Sequence, residues 1–402
     1  MNRRPYTQAQ KSRLTWGLAV SQLFSWGILY YSFAAFLVPM ERSLACSRAS
    51  LSAAFSAGLI VAGLSAPLVG VALERFGGRA VMTCGAALAV LMLALWSFQQ
   101  SYPVFVLVWL GLGLAQAMTL YEPAFAILHR ELAGEAGKAI MRVTLVGGLA
   151  STVFIPITYW LIEQSSWRSA ALILGALIAI VVIPIAARLP DSSSRPGPPA
   201  DHKQSARLAP RALLGRSSFW ALLSSYTLTG AVFGAMTFHL LPLLAERGLA
   251  DGLALMVVAT IGPMQVIGRF LLLMIFPDMA ASQIGRWNAA ALPLSLIALE
   301  IVPGIAGIAA FAIIYGLSNG VSTIVRGTVT AELYGTQDFA RINGLLAMPS
   351  TIAKAVGPTL AAVAWSLQQD YSTIVAILAI LAFVAAIGFF RATRNAADPC
   401  PT

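Results

Sequence analysis

The chain has 402 residues, of which 58% are hydrophobic and only 10% charged, against about 25% charged in ordinary soluble domains. That balance excludes a water-soluble globular enzyme as the starting expectation and points to lipid as the main solvent. The formal net charge of +10 does not argue for nucleic-acid binding, because the basic residues sit in breaks between apolar runs, where they set membrane orientation.

A membrane crossing takes roughly 20 apolar residues, since the hydrocarbon core is about 30 Å thick and a helix rises about 1.5 Å per residue. Runs of this kind fill the sequence. In chain order the predicted crossings are 14–40, 50–73, 79–98, 103–128, 140–162 and 168–188, followed by 217–245, 253–276, 285–303, 305–328, 342–367 and 371–391. The first run is far too long for the apolar region of a signal peptide and is expected to stay as helix 1. Between the two sets lies 189–216, containing Asp191-Ser-Ser-Ser-Arg-Pro-Gly-Pro-Pro-Ala. Pro, Ser and Gly at that density cannot pack a core, so this stretch is expected to be a flexible cytoplasmic linker. The expected organisation is a bundle over 1–188, the linker 189–216 and a second bundle over 217–402.

Orientation follows from Lys and Arg. With the amino terminus inside, 19 of the 26 basic residues fall on the cytoplasmic side; only Arg42, Arg48, Arg168 and Arg247 fall outside. The bias puts both termini in the cytoplasm and requires an even number of crossings. A repeat supports two halves. Arg142 to Val153 reads RVTLVGGLASTV, and Arg341 to Ile352 reads RINGLLAMPSTI, an offset of 199 residues. Trp16 answers Trp220, and Gly111-Leu-Gly in helix 4 answers Gly316-Leu-Ser in helix 10. The fold expected is an all-α membrane protein of twelve helices in two pseudo-symmetric six-helix bundles, with a substrate path at their interface near the bilayer midplane.

The loop after helix 2 reads Gly70-Val-Ala-Leu-Glu74-Arg75-Phe-Gly77-Gly78-Arg79. Glu74 ends a helix with two arginines close by, where a charge-assisted pair can break and reform. Gly70 lets another helix come close, and Gly77 permits a tight turn. This loop resembles the signature loop of the major facilitator superfamily, and the resemblance implies a cytoplasmic latch between conformations formed by Gly70, Glu74, Arg75, Gly77 and Arg79. The matching loop of the second half, Phe276 to Trp287, keeps only Asp278, Gly285 and Arg286. Helix 4 has Val108-Trp109-Leu110-Gly111 where many proton-coupled members have an arginine, and helix 5 lacks the Gly-Pro pair of drug:proton antiporters.

Ionisable groups at bilayer depth cost on the order of 2.5–3.5 kcal/mol by insertion scales, so each needs a reason. Lys354 stands in the centre of helix 11 and Arg269 in helix 8. Neither helix carries an acid near that depth, so the two cations make a site for an incoming anion. Arg269 would fork onto a carboxylate, and Lys354 would act as a point charge. The pair is similar to one in the oxalate:formate antiporter and its relatives, a bacterial branch near the monocarboxylate transporters. That resemblance implies that Arg269 and Lys354 bind the substrate's carboxylates. The helix 1 stretch Gly27-Ile-Leu-Tyr30-Tyr31-Ser32 also resembles a cavity-lining stretch of that branch. Tyr31 and Tyr30, with Tyr315 in helix 10, are therefore substrate-contact candidates. His239, Glu122 and Arg326 are the candidates for coupling or gating.

The expected function is a secondary active or facilitative transporter of a small organic anion, a mono- or dicarboxylate, in the cytoplasmic membrane. Protons or a counter-transported anion would be the coupling partners. An efflux transporter of a drug-like or toxic compound is the alternative, and a non-transporting membrane sensor a further one. No enzyme is expected. Three scattered cysteines and three isolated histidines have no ligand spacing, so no cofactor or metal is expected, and a monomer is.

Overall fold

The computed structural model describes residues 7–44, 47–132, 134–190 and 213–394, and every regular element in them is helical. Residues 191–212 of the expected linker lie outside the described residues, as do Arg3, Arg4, Cys46 and Cys400. Ten helical stretches are long and apolar enough to cross a membrane. One of them, Ser50–Phe98, is bent at Gly77 into two helices, and Ala281–Ile301, more polar because of Arg286, Asn288 and Glu300, completes twelve.

We label them in chain order: α1 Gln8–Leu44, α2 48–76, α3 78–98, α4 Tyr102–Glu131, α5 Ala136–Gln164 and α6 Trp167–Ala187. There follow α7 Ser217–Glu246, α8 Asp251–Ile275, α9 Ala281–Ile301, α10 Gly304–Tyr334, α11 Phe339–Gln368 and α12 Tyr371–Arg394. Most are longer than their apolar runs. The extra turns are polar, and hydropathy alone does not mark them. Helix ends are closed by side chains where the first N–H groups need acceptors. Thr7 and Gln10 form a capping box on α1. Ser166 caps α6 through the Ser169 N–H at 3.1 Å, and Glu332 of α10 takes the Ser282 N–H of α9 at 3.0 Å.

The helices divide into two compact units. The first holds α1 to α6 together with residues 336–344, the approach to α11 and its first turns; the second holds α7 to α10, the rest of α11 and α12. In the first unit the core is aromatic: Phe33, Phe36, Phe55, Trp96, Phe105 and Trp109 interlock at centroid distances of 4.6–6.3 Å. Phe339 and Ala340 also pack there, Phe339 against the His129 ring and Ala340 against Val69, Leu73 and Val81. The second core gathers Phe233, Met236, Leu240, Leu296, Phe311, Tyr315 and Leu378. Large apolar side chains such as Leu68, Leu107, Trp160, Ile180, Ile301 and Phe383 remain exposed. In water such a surface would aggregate; in lipid it is the ordinary outer wall.

Candidate functional site

Arg269 is set by a seam of small residues between α8 and α10. A Cβ at Gly268 would meet the Leu317 carbonyl at 2.9 Å, and one at Gly320 would run into the carbonyl of Gln265. With the two backbones that close, the Arg269 Nε donates to the Gly320 carbonyl at 3.1 Å. The side chain is 5% exposed, and its Nη1 has no hydrogen-bond partner among the described residues. Part of a fixed positive charge is thus buried without an acceptor among the described residues, which is costly unless something else supplies one.

Lys354 stands half-buried at the middle of α11, on a second seam. Gly230 of α7 lies against the Ser350 carbonyl, with a Cβ there meeting it at 2.5 Å; Gly234 lies against the carbonyl of Lys354 itself; Gly357 faces Ala231. Pro358 has no N–H, so the carbonyl of Lys354, four residues earlier, receives no helical hydrogen bond. Gly234 is what allows α7 to close over it. One turn further on, His239 joins three helices. Its Nε2 is 2.9 Å from the Pro358 carbonyl and its Nδ1 is 3.0 Å from the Tyr371 hydroxyl of α12. A carbonyl only accepts, so Nε2 carries the proton, and in the neutral ring Nδ1 accepts from Tyr371. Glu246, at the end of α7, takes the Tyr371 N–H at 2.8 Å and the Trp365 indole at 3.3 Å.

Tyr315 is packed between Phe233 and Phe311 at 5.3 and 5.0 Å, is 2% exposed, and leaves its hydroxyl without a hydrogen-bond partner among the described residues. Its surroundings are those of a core ring. Arg326 stands half-buried on α10.

In the first unit Tyr30 and Tyr31 fall on a π turn, Gly27–Tyr31, inside α1. The Ser32 N–H reaches back five residues to Gly27 at 2.9 Å. The two tyrosine rings meet edge to face at 5.1 Å, and the Trp26 ring touches both as well as Tyr121 of α4. Two glutamines that the sequence reading passed over hold this region. Gln116 of α4 donates to the Leu29 carbonyl, and Gln22 of α1 donates to the Thr119 carbonyl, both at 2.8 Å and both buried. Their signal in the sequence is a lone amide in an apolar run, and for Gln116 also the nearby Pro123. Glu122 is half-buried in the first turn after the break in α4.

The signature loop also belongs to the first unit. Gly77 has φ 79°, a left-handed value that only glycine adopts freely. A Cβ at Gly70 would meet the Ala340 carbonyl at 2.5 Å. Glu74 is half-buried, Arg75 and Arg79 are exposed, and the Arg75 guanidinium lies 5.2 Å from the centre of the Phe76 ring. In the second unit Arg286 donates twice to Thr393 near the end of α12, at 3.0 and 2.6 Å, while Asp278 stays exposed in its loop.

A family model described as Major Facilitator Superfamily matches residues 16–299. The chain belongs to that superfamily. As a major facilitator it is a multi-pass membrane transporter and not an enzyme. Among curated relatives it is 26% identical over 376 residues to monocarboxylate transporter 13 of Bos taurus, covering 89% of this chain and 84% of the relative. It is 28% identical over 306 residues to monocarboxylate transporter 11 of Homo sapiens, covering 73% of this chain and 64% of the relative. The crystal structure of the human organic anion transporter MFSD10 (TETRAN) is similar in fold, with TM-score 0.75, 15% identity, and coverage of 95% of this chain and 99% of that one. The fucose:proton symporter FucP of E. coli in its outward conformation gives 0.71 at 14% identity, over 95% and 98% of the two chains. The resemblance to the monocarboxylate transporter branch drawn from the sequence agrees with these relatives.

Proposed function

We propose that this major facilitator is a secondary transporter of a small organic anion, a mono- or dicarboxylate, moved by alternating access across the cytoplasmic membrane. The observation that carries the reading is the buried guanidinium of Arg269, which donates through Nε to the Gly320 carbonyl and leaves Nη1 unpartnered among the described residues. A carboxylate is the acceptor its geometry suits, because the planar fork matches two oxygens at once. Lys354 supplies a second positive charge in the same unit, on a helix whose polar backbone is opened by Pro358. Relatives named for monocarboxylates and organic anions add support. Tyr30 and Tyr31 are the first unit's candidates for substrate contact. Glu74, Arg75 and Arg79 are proposed as the latch on the cytoplasmic side, and His239, Glu122 and Arg326 as gating or coupling groups.

The test is binding by purified protein. A ligand held only by the folded state raises its melting temperature. Mono- and dicarboxylates are expected to raise Tm, and neutral analogues of the same size are not. Arg269→Gln combined with Lys354→Gln should insert normally yet lose both the shift and the uptake. Full uptake by that double variant would refute the reading.

A further inference from the structure

Two backbone irregularities lie close together inside the first unit, and each takes a hydrogen bond from a side chain of the other helix, with Ser32 also donating to the Ile28 carbonyl within the π turn. In α4, Pro123 cannot donate to the Thr119 carbonyl, and Leu120 leaves helical geometry at φ −78°, ψ −154°. The Thr119 carbonyl takes its hydrogen bond from Gln22 of α1. In α1, the π turn winds one residue too many for the regular ladder, and the Leu29 carbonyl within it takes a hydrogen bond from Gln116 of α4. Gln22 is 0% and Gln116 2% exposed, so water is not at hand to replace either amide. Carbonyls left without donors in such surroundings are strongly disfavoured.

We propose that Gln22 and Gln116 form a reciprocal clasp that makes the π turn of α1 and the break in α4 a single hinge, and so positions Tyr30 and Tyr31. The positioning half rests on the substrate-contact role proposed above for those tyrosines; the clasp itself does not. If α1 rewound to a plain helix, the register of the turn would shift and Gln116 would lose its acceptor. If α4 straightened, Gln22 would lose its own. Each bend therefore stabilises the other, with Pro123 setting the place of the one in α4. The tyrosines sit on the last two residues of the π turn, and Trp26 touches both of them and Tyr121, the first residue past the α4 break. The aromatic group accordingly moves with both bends. Gln22 and Gln116 are positioning residues, since they act through the backbone and the tyrosines.

The experiment compares wild type, Gln22→Leu, Gln116→Leu, the double variant and Gln116→His, all full-length in lipid nanodiscs. The His variant keeps an N–H donor of similar reach; Gln→Asn stands in for any Leu variant that fails to fold. Hydrogen exchange without substrate is read over 28–33 and 119–125. The clasp predicts that either Leu variant speeds exchange about tenfold or more in both segments. It also predicts that the double variant is no faster than the faster single, and that Gln116→His stays near wild type. Gln116→Leu loosening only α1 and Gln22→Leu only α4, with effects that multiply in the double variant, would overturn it. Uptake of radiolabelled lactate and succinate is then measured. A several-fold rise in KM with Vmax nearly kept supports the positioning half, and an unchanged KM beside coupled exchange overturns that half while leaving the clasp standing.

Discussion

Arg269 and Lys354 are legible in the sequence because a charge inside an apolar run has no ordinary reason to be there. Their surroundings are not legible in the same way. Gly320, 51 positions after Arg269, supplies the carbonyl that fixes its Nε, and Gly234 lies under the Lys354 carbonyl from 120 positions away. Both depend on how helices cross, which periodicity does not encode. At this scale the guanidinium's shape is the testable quantity. Arg269→Lys keeps the charge but loses the fork and the Gly320 contact, so carboxylate affinity should fall by roughly 10- to 100-fold, read as the midpoint of ligand-induced Tm shifts. An unchanged midpoint would argue against a forked contact between Arg269 and the carboxylate. Tyr315 teaches the opposite lesson. A tyrosine in a helix 10 run looks the same in sequence whether it lines a path or fills a core, and here it lies between Phe233 and Phe311.

The crossings were readable as elements, and their irregularities only in part. Pro123 and Pro358 each remove a helical hydrogen bond, and α4 breaks at Leu120 while α11 runs on through Pro358, but a π turn leaves no mark of its own. Its residues, Gly27 to Tyr31, read simply as more apolar helix. The start of α12 illustrates a local device that does show in sequence. The N–H and then the hydroxyl of Thr373, with the N–H of Ser372, hold the Asp370 carboxyl below the usual carboxylate range. A value lowered by folding means that this cap contributes fully at neutral pH and is lost as acid protonates it. Asp370→Ala is thus expected to melt below wild type at pH 7. The gap should close as pH falls below the ordinary aspartate range, and a gap independent of pH would argue against the cap. Just before it, Gln369 is the one described non-glycine residue with positive φ, at 53°. Gln369→Gly removes that strain and should raise Tm slightly, since glycine adopts this conformation freely.

For the whole molecule, composition and the spacing of apolar runs were enough to reach twelve helices, and the Glu74 loop was enough to reach the superfamily. Packing decides what spacing does not: residues 336–344 lead into α11 yet pack with the first unit, through Phe339, Ala340 and the close approach at Gly70. The distribution of Lys and Arg leads to a prediction at this scale. Reporter fusions at either terminus should be active only in the cytoplasm, and fusions in the turn at Arg247–Ala250 only outside. A terminus that reports from outside would overturn the assigned orientation.

The glycine seam between α7 and α11 has a practical consequence for anyone trying to change what this carrier accepts. Positions 230, 234 and 357 tolerate no side chain without prising the helices apart, so random libraries should return them unaltered among active clones. Under the role proposed for Lys354, changes of selectivity are expected from the residues around it, while the track it rides on stays fixed.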